Sequence, residues 1–210
     1  MLAIPFLHPS PGHYADTLAN QAAYYSSQKG ENWTIRPVGR LDKDTSGIVI
    51  FAKNSETAAL LNRSTPPQKT YYALLENAPE TPSGCIDFPI ASDGIVLGKM
   101  KISDDGRPCR TFYEVLNLGG DGADLPSVIL TCLKKGLVAA KLRLEQGRTH
   151  QIRLHMASIG CPLSGDPLYG TGIKGETHAM LHCERVMFEH PFTHKEIIIH
   201  APFPNDWQLP

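Results

Sequence analysis

The sequence carries almost no excess charge: 20 Lys and Arg against 21 Asp and Glu leave a formal net charge of −1 over 210 residues. Bulk electrostatics therefore cannot hold a polyanion, and such a partner has to be gripped by a local basic surface. Long hydrophobic runs are missing too, and no apolar stretch approaches the roughly 18 residues that a membrane-spanning helix requires. Residues 1–12 lack the basic start and apolar centre of a secretory signal, which points to the cytoplasm. Cysteine is scarce: Cys85, Cys109, Cys132, Cys161 and Cys183 are scattered, odd in number and free of C-x-x-C pairs. That argues against a disulfide framework or a zinc ribbon and for reduced, buried thiols. Neither a repeat nor a biased tract is visible, so the chain does not read as disordered. With 41% hydrophobic residues it reads as one domain over 1–210, long enough to enclose a sizeable core.

What is present is punctuation, with 17 prolines and 18 glycines cutting the chain into short segments. Asp16 is expected to cap a helix with Leu18, Ala22 and Tyr25 at helical spacing, ending near Gly30. Residues 48–52 read as a buried strand, and Asn54 or Ser55 as the cap of a helix through Leu60 and Leu61. Residues 70–75, 111–116, 128–133, 137–144, 179–183 and 196–200 read as strands. Residues 89–108 suggest a hairpin turning at Asp104-Asp105-Gly106. Thr149 is expected to cap a helix bearing Ile152, Met156 and Ile159, stopped by Gly160 and Pro162. Strands outnumber helices and mostly follow one another. The expected class is α+β, built on a mixed, mostly antiparallel sheet flanked by a few helices.

Two motifs point to chemistry and lose to simpler readings. Gly170-Thr171-Gly172-Ile173-Lys174-Gly175 fits G-x-G-x-x-G, but no strand precedes it and no helix follows, so it reads as a turn. His178 and His182 are four apart, yet the residues between them read as a strand, and Cys183 would face the other side. The expectation is no metal.

Two other segments carry more. Gly39-Arg40-Leu41-Asp42-Lys43-Asp44-Thr45-Ser46-Gly47 gathers two cations, two carboxylates and two hydroxyls in a loop that feeds a hydrophobic strand, where a side chain can be held rigidly. Taken alone, a polar turn explains it better. Gly147-Arg148-Thr149-His150-Gln151-Ile152-Arg153-Leu154-His155-Met156 sets two Arg and two His at the start of a helix, a position that already favours anions. Between Lys134 and Met156 the basic residues are Lys134, Lys135, Lys141, Arg143, Arg148 and Arg153 against Glu145 alone, a local charge of +5. Such asymmetry suits a phosphodiester backbone.

These two segments, together with Lys69-Thr70-Tyr71, Gly106-Arg107-Pro108-Cys109-Arg110-Thr111, Gly160-Cys161-Pro162-Leu163, Gly165-Asp166-Pro167-Leu168-Tyr169-Gly170, Leu181-His182-Cys183 and Ala201-Pro202-Phe203-Pro204, resemble the RluA-type pseudouridine synthases. The resemblance runs from about His8 to Trp207. It implies isomerisation of a uridine in ribosomal or transfer RNA to pseudouridine, without metal or organic cofactor, by a protein expected to act as a monomer. It further implies that Asp42 is the catalytic carboxylate and that Tyr71 packs on the target base and handles the C5 proton. Arg153 resembles the residue that pairs with that carboxylate, and Arg40 the one that fills the space left by the extruded base. The residues expected to bind RNA are Arg40, Lys43, Lys69, Arg148, His150 and Gln151. The preference for Asp42 over Asp44 comes from the family motif.

The implied roles make physical sense. A stacked uridine exposes neither C1′ nor C5, so it has to be extruded at a cost of a few kcal/mol. A planar guanidinium can occupy the gap. Breaking the glycosidic bond builds positive charge at C1′, where an ionised carboxylate helps. Buried against base and ribose, that carboxylate needs a guanidinium nearby to stay charged.

The chain departs from the family pattern at Gly39 and Cys161, where His is common, and at His194, where Gly is common. The usual opening strand ending in Lys-Pro-x-Gly has no counterpart, residues 2–5 resembling its remnant, and no separate N-terminal RNA-binding domain is expected. Two readings compete with the enzyme: an RNA-binding or chaperone protein using the same groove without catalysis, and a metal hydrolase using His178, His182 and Cys183.

Overall fold

A computed structural model describes residues 14–31, 33–43, 45–96, 98–117, 125–171, 178–204 and 207. The expected remnant strand at 2–5, Asp44 and residues 172–175 of the glycine-rich run lie outside them. In chain order the elements are α1 (Leu18–Gln28), β1 (Arg36–Val38), β2 (Ser46–Gly47), β3 (Ile50–Ala52), α2 (Ser55–Arg63), β4 (Gln68–Leu75), β5 (Ser83–Ile86), β6 (Ile90–Ser92), β7 (Met100–Ile102), β8 (Thr111–Leu116), α3 (Ser127–Lys134), β9 (Val138–Leu144), α4 (Gln151–Ser158), β10 (Leu181–Glu189) and β11 (Glu196–His200).

The organising unit is a seven-stranded sheet in the order β11-β10-β4-β9-β8-β5, with β2 added in parallel beside β10. Every other pairing in it is antiparallel, so the fold is α+β on a mixed sheet, as the strand-rich sequence predicts. Strand β4 runs through the middle, and its side chains alternate between two cores. Tyr71, Ala73 and Leu75 face α4, packing with Ile152 and Met156. Tyr72 and Leu74 face α3, packing with Ile129, Cys132 and Trp207. A side strip formed by β1 and β3, with α2 packed on it through Leu61, carries the loop that enters the sheet at β2.

Several expectations held. Strands β8 and β11 match residues 111–116 and 196–200, and Asn54 caps α2; β6 pairs β7 as a hairpin, but it closes through the Asp93 N–H on the Lys99 carbonyl at 2.9 Å, and the expected turn, with the Gly106 N–H on the Ser103 carbonyl, follows β7 instead. Others did not. Residues 128–133 form α3, not a strand: Ile129 and Cys132, three apart, are its buried positions, and Thr131 returns its hydroxyl to the Ser127 carbonyl. A short apolar run rich in β-branched residues fits either state, and here the face of the sheet demanded a helix to cover it. The expected strand 48–52 is shorter: only Ile50–Ala52 is strand, paired with β1, while Ser46–Gly47 just before it pairs with β10. Thr17, not Asp16, caps α1, in a reciprocal box with Asn20, and Tyr25 points outward.

Candidate active site

The loop between β1 and β2 is pinned at both ends. At its start, Gly39 takes a left-handed φ of 68° and donates its N–H to Asn62 of α2 at 3.0 Å. At its end, Gly47 lies so close to β10 that a Cβ would meet the Cys183 carbonyl oxygen at 2.2 Å, so only glycine lets the strands approach. Ile48 then donates to that same carbonyl at 3.1 Å. Between the anchors, Thr45 donates to the Asp42 carbonyl at 3.0 Å, and the Lys69 ammonium donates to the Arg40 carbonyl at 3.1 Å. The loop is therefore a fixed platform.

Asp42 sits on that platform with its side chain 15% exposed, 3.9 Å from the guanidinium of the exposed Arg40. Arg40 also donates to Thr149 at 3.2 Å, tying this loop to the approach to α4. Asp42, Arg40, Tyr71, Arg148, Gln151 and Leu181 line one small cleft of about 40 Å³. Tyr71, 6% exposed, comes from β4, directly opposite Cys183 in register. Burial, then Cys183 and then the Asp42 charge push its phenol well above the ordinary value, so it stays protonated. Cys183 is pushed up to about 11, chiefly by burial, and is a neutral thiol bonded to Tyr71. Burial also lowers the Lys69 ammonium.

The second segment approaches from α4. His150 occupies its N-cap in the left-handed region at φ 54°, a conformation a non-glycine residue holds at a cost of about 1 kcal/mol or more. It needs no side-chain cap there; its Nδ1 pairs with the Tyr169 hydroxyl at 3.0 Å. Burial lowers the imidazole, while Asp42 pulls it upward, so the two share one electrostatic neighbourhood. Thr149, expected as the cap, instead meets Arg40. Gln151 is 2% exposed and its amide is taken by the protein: the oxygen accepts from the Arg148 N–H at 2.9 Å, and the nitrogen donates to Arg110 and Thr111. It thereby aims Arg148, whose guanidinium reaches the Pro108 carbonyl at 3.4 Å and whose buried Nε has no hydrogen-bond partner.

Arg153, 2% exposed at its side chain, forks onto Asp166 at 2.7 and 2.6 Å, and its guanidinium lies over the Tyr169 ring at 5.4 Å. Burial would raise the Asp166 carboxyl. Two bonds from Arg153, its charge and the N–H groups of Leu168 and Tyr169 outweigh that and hold it below the ordinary value. Sequence reasoning named no function for Asp166 and Tyr169. The run Gly165-Asp166-Pro167-Leu168-Tyr169-Gly170 entered only as part of the family resemblance, with no role attached to either side chain. Lys43 is exposed at the tip of the loop. His182 pairs its Nδ1 with Ser46 at 2.8 Å and packs against Phe203 and Trp207, which explains it as a core residue. Among the described residues no three His, Cys, Asp or Glu side chains converge as a metal cage, and no helix is long and apolar enough to cross a membrane.

Residues 7–158 match the family model described as RNA pseudouridylate synthase. The chain is 37% identical over 202 residues to "Uncharacterized RNA pseudouridine synthase YhcT" of Bacillus subtilis (strain 168), covering 95% of this chain and 63% of that protein. It is 35% identical over 222 residues to "Ribosomal large subunit pseudouridine synthase D" of Zymomonas mobilis, covering 97% and 65%. The chain thus spans a little under two thirds of the length of these curated relatives. Among solved structures, human RNA Pseudouridylate Synthase Domain Containing 1 superposes with a TM-score of 0.67 at 25% identity, covering 90% of this chain and 74% of that one.

Proposed function

The chain belongs to the RNA pseudouridylate synthase family, and on that premise we propose that it isomerises a uridine of ribosomal or transfer RNA to pseudouridine in the cytoplasm. The N1–C1′ bond breaks, the uracil turns, C5 bonds to C1′, and the C5 proton leaves while N1 is protonated. The observation that carries this reading is Asp42, 15% exposed on a loop fixed at both ends and sharing a cleft with Tyr71. A carboxylate has no use in a groove that only holds phosphates. It is useful beside an anomeric carbon gaining positive charge. Relatives carrying the name of a large-subunit ribosomal enzyme favour ribosomal RNA as the substrate.

In this reading Asp42 faces the ribose of the extruded nucleotide. Tyr71, kept protonated by burial, offers its ring to the uracil; its phenol oxygen accepts the C5 proton only as its own O–H proton passes on, in net terms toward N1. Arg40, 57% exposed and reaching both Asp42 and Thr149, enters the stack as the base leaves. Arg148 contacts phosphate, with Gln151 as its positioning residue. Arg153 acts with Asp166, not in the expected ion pair with Asp42: the pair stiffens the floor beneath Tyr169 and His150, and its cation opposes Asp42 in setting the charge of the His150 imidazole.

Tritium release from RNA carrying 5-tritiated uridine tests the reading. The wild-type protein releases tritium and Asp42→Asn does not, while both bind the RNA. Binding without release from any cellular RNA would instead identify a chaperone-type binder.

A further inference from the structure

The basic stretch 134–156 does not stay together in the fold. Arg148 and Arg153 go to the α4 side, whereas Arg143 pairs in register with Thr70, and Lys141 with Tyr72, both on the opposite face of the sheet. Register extends that line across six strands: His200, Arg185, Thr70, Arg143, Phe112 and Cys85 are successive cross-strand neighbours. Helix α3 covers the Tyr72–Leu74 end of this face and leaves the row uncovered. It floors a trough of about 670 Å³ lined by Lys141, Arg143, Arg185 and Phe112. Among the described residues no carboxylate lies within 4 Å of Lys141, Arg143 or Arg185. Glu114 faces Lys141 in register beyond that distance, while Glu184 is held by His200 and Glu145 by Arg110. Phe112, 39% exposed, stands next to Arg143 on the side away from Arg185.

This trough is continuous with the site. The Asp42 cleft opens past Arg40, Tyr71 and Gly147 into a notch of about 240 Å³ floored by Pro66, Pro67 and Lys69. The notch shares those three residues with a groove of about 830 Å³ over the ends of β4 and β9. That groove shares Phe112 and Arg143 with the trough. Two guanidiniums on strands flanking β4 stand about 10 Å apart at the backbone, two interstrand spacings, with an aromatic face at the end of the row. Cations that track a backbone beside a ring on which bases stack are what a single strand of nucleic acid requires. A protein partner would need contiguous apolar surface, and here exposed apolar side chains are separated by charge.

We propose that this open face is a second RNA contact, taking the single-stranded nucleotides that flank the target uridine after they pass over the end of β4 and β9. The identity of the polymer rests on the proposed activity. The test is a binding titration, which needs no turnover, with a uridine-containing RNA hairpin used bare and with a single-stranded oligo(U) tail of about ten nucleotides on either end. The tail is expected to strengthen wild-type binding about tenfold, with the gain shrinking as salt rises. Arg143→Glu with Arg185→Glu abolishes the gain and keeps bare-hairpin binding within about twofold. The milder Arg143→Gln with Arg185→Gln lowers the salt slope for the tailed RNA by about 1.4, as two lost phosphate contacts should. Phe112→Ala removes part of the gain without changing that slope. Circular dichroism of each variant keeps misfolding apart from lost contact. A tail that adds nothing, or a gain and slope unchanged in both double variants, overturns the proposal. So does a change in sedimentation showing that a second copy covers the face. Failure of the isomerase reading is separate: wild-type protein would then release no tritium whatever the tail does.

Discussion

The two faces of strand β4 carry consecutive residues and have opposite characters. On the α4 face Lys69 and Tyr71 are enclosed, each polar group bonded to a neighbour from another element, and Asp42 and Cys183 lie beside them. On the other face Thr70 lies between Arg143 and Arg185, and among the described residues no carboxylate comes within 4 Å of the cations there, Glu114 standing farther off opposite Lys141. Enclosure lets a few charges exert a strong field in low dielectric. Openness leaves cations hydrated and available to a mobile polyanion. One strand thus supports two kinds of electrostatics, separated by the thickness of a sheet.

The strongest way to break that contrast is Asp42→Asn. It is expected to reduce tritium release by about 10³-fold while leaving thermal unfolding unchanged, because the lost group acts on reacting charge. Next is Arg153→Ala, which leaves Asp166 buried and unpaired and should destabilise the fold by about 3–5 kcal/mol in urea titrations. The same pair sets a pH dependence. Since folding holds the Asp166 carboxyl below its ordinary value, the pair's contribution is complete above about pH 4 and is lost as pH falls further. Asp166→Asn should flatten that acid limb of the unfolding curve. Gly47→Ala forces a methyl into the Cys183 carbonyl and should cost about 2–3 kcal/mol by the same titration, with activity falling as the Asp42 loop shifts. The smallest effect is expected from the open face, where Phe112→Ala should change stability by less than about 0.5 kcal/mol. A large loss there would mean that this face is structural.

Much of the fold was legible because the pattern was local. Thr111 to Leu116 alternates buried and exposed positions and is strand β8; Asn54 is followed by a helical pattern and caps α2. His194, where the family resemblance leads one to expect glycine, has φ 54°, a left-handed conformation that suits glycine. What was not legible depended on partners far along the chain. The apolar run in α3 became a helix because β4 and β9 needed a lid, and Thr149 gave up the cap because Arg40, 109 residues away, took its hydroxyl. In the candidate site, Asp42, Tyr71 and Arg148 were readable as residues, and the cleft joins them. Asp166, Tyr169 and Cys183 were legible only as members of motifs, with no supporting role, since a carboxylate, a phenol and a thiol show one only when folding sets them against Arg153 and Tyr71.

By itself, the order of residues determined the class of fold, the family and the chemical types available, because these depend on periodicity, glycine geometry and motif spacing that are written along the chain. Tertiary structure alone decided which charges share a face. Alternation in a strand sends neighbours to opposite sides, and cross-strand register then groups residues a hundred positions apart, so one basic segment became half of an enclosed cleft and half of an open track.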